Sequence, residues 1–169
     1  MKTTIYITLM AIIAGVFFTA CEDHDYLLGK PEYDHHYYIA FVPYNNTQAS
    51  VNRNQTTLLK FPVQFHSSFT RSYDAAAHYK IVNPATNPAV PGVDFDIVDK
   101  NGAVIQPVDG KYSITFEKSV RRKDTIYVKL LNNVAPGVRS TEIQLMENIT
   151  SEYRVDTLST AFRRPIRIQ

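Results

Sequence analysis

Few groups in this chain could do chemistry, and their spacing argues against catalysis. A nucleophilic mechanism needs a serine, cysteine or threonine beside a base that a third group orients. The histidines are His24, His35, His36, His66 and His78, and none lies in a recognisable nucleophile motif. His24, His35 and His36 fall in a stretch where nothing fixes their geometry, and His66 follows the solvent-facing phase of its strand. As neighbours on an extended chain, His35 and His36 point to opposite sides, which argues against a metal pair. Glycoside hydrolysis needs two carboxyl groups about 5–9.5 Å apart in a cleft, and the sequence offers no such pair. It offers no glycine-rich phosphate loop either. The chain reads as non-catalytic and free of cofactors.

Binding chemistry is better represented. Sugar sites on β-sandwiches stack a ring on an exposed aromatic and hydrogen-bond through nearby amides, acids or guanidinium groups. The chain has no tryptophan, but Tyr44 stands beside Asn45 and Asn46 in a long loop, and Tyr73 stands near Arg71 and Asp74. Tyr44, Asn45 and Tyr73 are therefore the candidate glycan contacts, with a polysaccharide as the expected ligand. The competing role for each tyrosine is packing with a wet hydroxyl. Asp124-Thr125-Ile126 and Asp156-Thr157-Leu158 resemble the short Asp-Thr-aliphatic signal for O-glycosylation in Bacteroidota, which makes Thr125 and Thr157 candidate modification sites.

The N-terminus carries an address. Lys2 precedes a mostly apolar stretch from Ile5 to Phe18, too short to span a bilayer core and suited to an export signal. It ends in Phe18-Thr19-Ala20-Cys21, which resembles the bacterial lipobox. That resemblance implies acylation of Cys21, cleavage just before it, and attachment to the outer membrane through the lipid. Several buried acyl chains suffice for stable anchoring when each CH₂ contributes about 0.8 kcal/mol. The run Glu22-Asp23-His24-Asp25 resembles the acidic signal that sends Bacteroidota lipoproteins to the outer face of the outer membrane.

The division expected is residues 1–20 as signal peptide, 21–36 as lipidated cysteine and acidic tether, and 37–169 as one folded domain. Without Lys2 the basic and acidic residues nearly balance, so no long-range field for nucleic acid or another polyanion follows. Two short basic clusters, Arg121-Arg122-Lys123 and Arg163-Arg164 with Arg167, read as solvated turns or strand faces.

The elements that must position these residues follow a period of two. Tyr37 to Val42 is a first strand, followed by a polar loop from Tyr44 to Gln55. Leu59, Phe61, Val63 and Phe65 alternate with Lys60, Pro62, Gln64 and His66, giving one apolar and one wet face. Pro62 lacks a ladder donor, which predicts a sheet edge or a bulge there. Further strands are read at Ala77–Val82, Val93–Val98, around Ile114, around Val128 and around Ile143, with terminal strands at Tyr153–Val155 and Ile166–Ile168. Asn83 to Gly92, with three prolines, is a loop, and Asp99-Lys100-Asn101-Gly102 is a turn. After Ala20 no window of eleven or more residues keeps a helical period. About seven short strands with polar turns predict an all-β, antiparallel, immunoglobulin-like sandwich after a signal peptide and flexible tether.

Three segments sharpen this: Gly92-Val93-Asp94-Phe95, Tyr112-Ser113-Ile114-Thr115-Phe116, and Lys123 to Leu130. In that order they resemble Calx-β-like sandwiches. With the signal peptide and the Tyr38–Phe41 strand, the chain resembles small Bacteroidota lipoproteins of unknown function encoded beside SusC/SusD-type uptake pairs. The resemblance implies an accessory binding or assembly module of an outer-membrane glycan or nutrient uptake system, with SusC/SusD-type proteins as possible partners. Two alternatives stand beside it. One is a structural or adhesin-type lipoprotein, whose Pro62 strand and Pro165–Ile168 strand would offer edges to another chain. The other is a calcium-stabilised module, although the acids Asp74, Asp94, Asp96, Asp99 and Asp124 are scattered.

Overall fold

The computed structural model has strands over the alternating segments Leu59–His66, Tyr112–Phe116 and Lys123–Leu130. It describes residues 34–67, 70–119, 122–134 and 137–169. The signal peptide, Cys21 and the acidic run lie outside those residues, as do Arg121 and Pro136. From His35 to Gln169 the chain forms one compact unit.

Eleven strands occur among the described residues: β1 (His36–Phe41), β2 (Ala49–Val51), β3 (Leu59–His66), β4 (Ala75–Val82), β5 (Phe95–Val98), β6 (Tyr112–Phe116), β7 (Lys123–Leu130), β8 (Arg139–Met146), β9 (Asn148–Ile149), β10 (Arg154–Thr157) and β11 (Arg163–Ile168). That exceeds the seven or so expected. The excess includes β2, inside the segment read as a polar loop, and β9, which has two residues; both are too short to display a period. The first sheet has the order β5-β7-β3-β1-β10-β9, and the second β2-β11-β8-β4-β6. Pairing is antiparallel except for β1 with β10 and β2 with β11. The chain thus places its first strand in one sheet and its second in the other.

Between the sheets lies a core whose largest fully buried side chains include Phe41, Phe65, Phe95, Phe116, Ile39, Ile143 and Ile166. Phe65 from the first sheet stacks on Phe116 from the second, with centroids 4.6 Å apart. Burying each such side chain contributes roughly 1.5–3 kcal/mol. The loop after Asn83 is ordered by β8: Ala89 N donates to Ser140 O, and Ser140 N to Asn87 O. At the Asp99 turn, the Asp99 carboxylate accepts from Asn101 N and Ala103 N, and Gly102 takes the left-handed conformation at φ +89°.

Three sequence expectations are corrected. First, the Pro62 strand is not an edge, because β3 lies between β7 and β1. Antiparallel partners exchange N–H and C=O on the same side, and Pro62 O accepts from Val42 N at 2.9 Å. The missing donor therefore faces Val42, one residue beyond the end of β1, where the ladder is already stopping. Second, β11 is not an edge, because β2 covers its outer side and β8 its inner side. The edges are β5 and β9 in one sheet and β2 and β6 in the other. Third, Arg164 is not on a solvated face: it is 6% exposed, on the same side of β11 as Ile166 and Ile168.

Candidate functional site

On the first sheet, residues of one parity fill the core, so those of the other parity share the outer face. On β1 these are His36, Tyr38 and the covered Ala40, on β3 Lys60, Pro62, Gln64 and His66, and on β10 Arg154 and Asp156. Register brings them together: His36 lies opposite Arg154, and Tyr38 lies opposite Asp156 on one side and His66 on the other. The loop after β1 carries Tyr44 back over β3. There Tyr44 Oη donates to Gln64 Oε1 at 3.0 Å, and its ring sits 5.7 Å from that of His66. His36 stacks on Tyr38 with centroids 5.0 Å apart. The result is a band of rings, Tyr44, His66, Tyr38 and His36, running across β3 and β1. Tyr38 is 39% exposed and Tyr44 53% exposed.

Polar groups border the band. His36 Nε2 bonds the Asp156 carboxylate, and Arg154 Nε donates to both Asp156 oxygens at 2.8 and 2.9 Å. Arg154 also reaches Glu147 at 3.7 Å. Partial burial alone would raise the Asp156 pKa, but the bonds from Arg154 and His36 outweigh it and hold the carboxyl below its ordinary range. Hydrogen bonding to Asp156 holds the Arg154 guanidinium above its ordinary value. Burial pushes the His66 imidazole pKa below its ordinary value. With strands about 4.8 Å apart, the face from β9 to β3 spans about 15 Å. Flat rings flanked by fixed donors and acceptors suit a polyhydroxylated ligand. They supply no nucleophile with an oriented base.

The three candidate glycan contacts do not form one site. Tyr44 lies in the band. Asn45 anchors the loop beneath it, with Oδ1 accepting from Arg164 Nη1 at 2.8 Å and from Thr47 N at 3.2 Å. Tyr73 belongs to a separate cluster. Its ring stacks on Tyr153 at 5.5 Å, and its hydroxyl contacts Tyr37 Oη at 2.7 Å and His35 Nδ1 at 2.5 Å. Burial, then the bond to Tyr37, raise the Tyr73 pKa. Arg71 Nε donates to the same Tyr37 hydroxyl at 2.9 Å. Tyr73 thus serves as packing and as a hydrogen-bond link.

Sequence reasoning missed Tyr38, His36, Gln64, Asp156 and Arg154. The available signal was parity: Tyr38 occupies the wet phase of β1, as Gln64 and His66 do in β3. Of the candidate modification sites, Thr125 is half-buried on the outer side of β7, opposite Pro62, and Thr157 is half-buried at the end of β10, opposite Ile39.

Several of the scattered acids serve their own neighbourhoods. Buried Asp94 accepts from Val90 N at 2.8 Å and Asn133 Nδ2 at 3.0 Å, and Asp74 accepts from Lys118 N at 3.0 Å. Among the described residues, no group of three or more His, Cys, Asp or Glu side chains is placed to hold a metal.

The chain matches no protein-family model and no curated protein. Solved structures do match. The apo-form Calx CBD1 domain aligns with a TM-score of 0.51 at 15% identity, covering 79% of this chain and 97% of that one. CBD12 from CALX1.2 aligns with a TM-score of 0.50 at 16% identity, covering 78% of this chain and 44% of that one. At such identities the likeness concerns architecture, and the architecture is that of a Calx-β-like β-sandwich.

Proposed function

We propose that this protein is a non-catalytic, lipid-anchored β-sandwich that binds glycan at the cell surface, as an accessory module of an outer-membrane uptake system. One observation carries the binding part: the ring band of Tyr44, His66, Tyr38 and His36, with Gln64, Asp156 and Arg154 at its borders. Aromatic faces that are not needed for the core, yet are held by stacking and hydrogen bonds, are pre-organised for stacking on sugar rings. The anchor and the uptake system come from the Cys21 motif, the acidic run and the family resemblance. The test is a panel of polysaccharides scored by the shift in melting temperature. A shift that disappears in Tyr38→Ala and Tyr44→Ala supports the reading, and a flat panel refutes it.

A second reading has its own observation. At five residues, β6 is the longest sheet edge left open among the described residues; β5, by contrast, is flanked by the segment reaching Ile105, whose N–H donates to Ile97 O at 2.9 Å. An open edge can accept a strand from a partner protein. That reading predicts co-purification with a porin-like partner from detergent extracts, lost in Thr115→Pro. A chain that always runs alone counts against it.

A further inference from the structure

Beside the Tyr44 loop lies a cleft of about 320 Å³ whose lining includes Asn45, Gln48, Lys60, Pro62 and Arg164, with no acidic residue. Its floor holds a buried cation. The Arg164 guanidinium donates from Nη1 to Asn45 Oδ1 at 2.8 Å and to Thr47 O at 3.3 Å, and from Nη2 to Pro43 O at 3.0 Å. Its central carbon lies 5.2 Å from the Phe41 ring centroid. Every one of these partners is neutral. Among the described residues no carboxylate pairs with Arg164 or with Lys60, which is exposed at the rim of the same cleft. A buried charge is costly unless it is paired, and burial pulls the Arg164 pKa down. The cleft therefore offers two positive groups and two amide side chains to a negative group arriving from outside.

We propose that this cleft seats the carboxylate of an acidic sugar, so that the ring band takes uronic-acid-containing glycans in preference to neutral ones. Continuity favours a glycan over an acidic peptide. Lys60 and Pro62 share the outer face of β3 with Gln64, and Tyr44, on Gln64, is the neighbour of Asn45, on Arg164. A ring stacked on Tyr44 would thus bring the next sugar's carboxylate to the cleft. The inference rests on the glycan-binding reading above.

The experiment titrates the mature protein with oligogalacturonate and with its carboxyl-reduced counterpart. The acidic form should bind about tenfold more tightly at low salt, the gap closing as ions screen the contact. Lys60→Ala should narrow that gap by weakening the acidic oligomer, Arg164 remaining as the one positive group of the cleft. Arg164→Lys keeps the charge but loses the fork that also holds Pro43, Asn45 and Thr47, and should weaken the acidic ligand more than the reduced one. Equal affinity for the two oligomers overturns this inference and leaves glycan binding standing. Binding of neither overturns both. Competition by a glutamate-rich peptide as strong as by the acidic oligomer overturns it in favour of a protein partner.

Discussion

Tyr38 and Tyr44 spend little on the core, so their loss should separate binding from folding. Tyr38→Ala is expected to cost about 1 kcal/mol, the scale of a cross-strand aromatic contact and well below that of a core truncation. Glycan-dependent stabilisation should disappear with it; an intact ligand response in Tyr38→Ala would remove that side chain from the site. Asp156 makes the same face acid-sensitive. Its carboxyl titrates lower in the folded protein than in the unfolded chain, so its contribution is fully present above the ordinary carboxylate pKa, near pH 4, and is lost as pH falls through the lower folded value. Melting temperatures from pH 6 to pH 2 should therefore fall less steeply in Asp156→Asn than in the wild type. His66 acts in a different window. Its folded pKa lies below the ordinary 6.5, so the unfolded chain takes up the proton first and stability declines as pH falls through 6.5. His66→Gln should flatten the profile between pH 7 and pH 5, which thermal melts can measure.

At the scale of elements, β3 shows what could be read in advance and what could not. Its alternation from Leu59 to His66 gave both its span and its inward face, because a half-buried strand must alternate. Its neighbours are not legible, since pairing with β1 and β7 is made between segments far apart in the chain and leaves no local mark. The same limit explains why Pro62 suggests an edge: a proline reports only where a donor is missing, and in β3 the gap falls just past the end of β1. Tyr44 is recognisable as a binding candidate from its exposed loop, whereas parity marks Tyr38 only as outward-facing, and its neighbours emerge when β1 is laid against β3. Arg164 was misread because a basic pair looks solvent-facing until Pro43, Asn45 and Thr47 are folded over it. Two measurements probe this level. Phe65→Ala should cost about 3–5 kcal/mol, by removing one partner of the inter-sheet stack. Gly102→Ala meets no steric contact but must adopt φ +89°, and should cost about 1–2 kcal/mol through backbone strain alone.

For the whole molecule, the anchor is the decisive test. Cys21→Ser should move the protein out of the membrane fraction, and an unchanged distribution would remove the lipoprotein reading while leaving the sandwich untouched. The placement of β1 adds a mechanical consequence. This strand follows directly from the N-terminal segment and lies inside its sheet, bonded to β3 on one side and in parallel to β10 on the other. A pull along the chain from that end loads both ladders in shear, so their hydrogen bonds must yield together instead of unzipping one at a time. Forced unfolding is governed by the height of that barrier and not by equilibrium stability. If the proposed anchor and glycan are both engaged, a domain built this way would keep its shape while the two pull against each other.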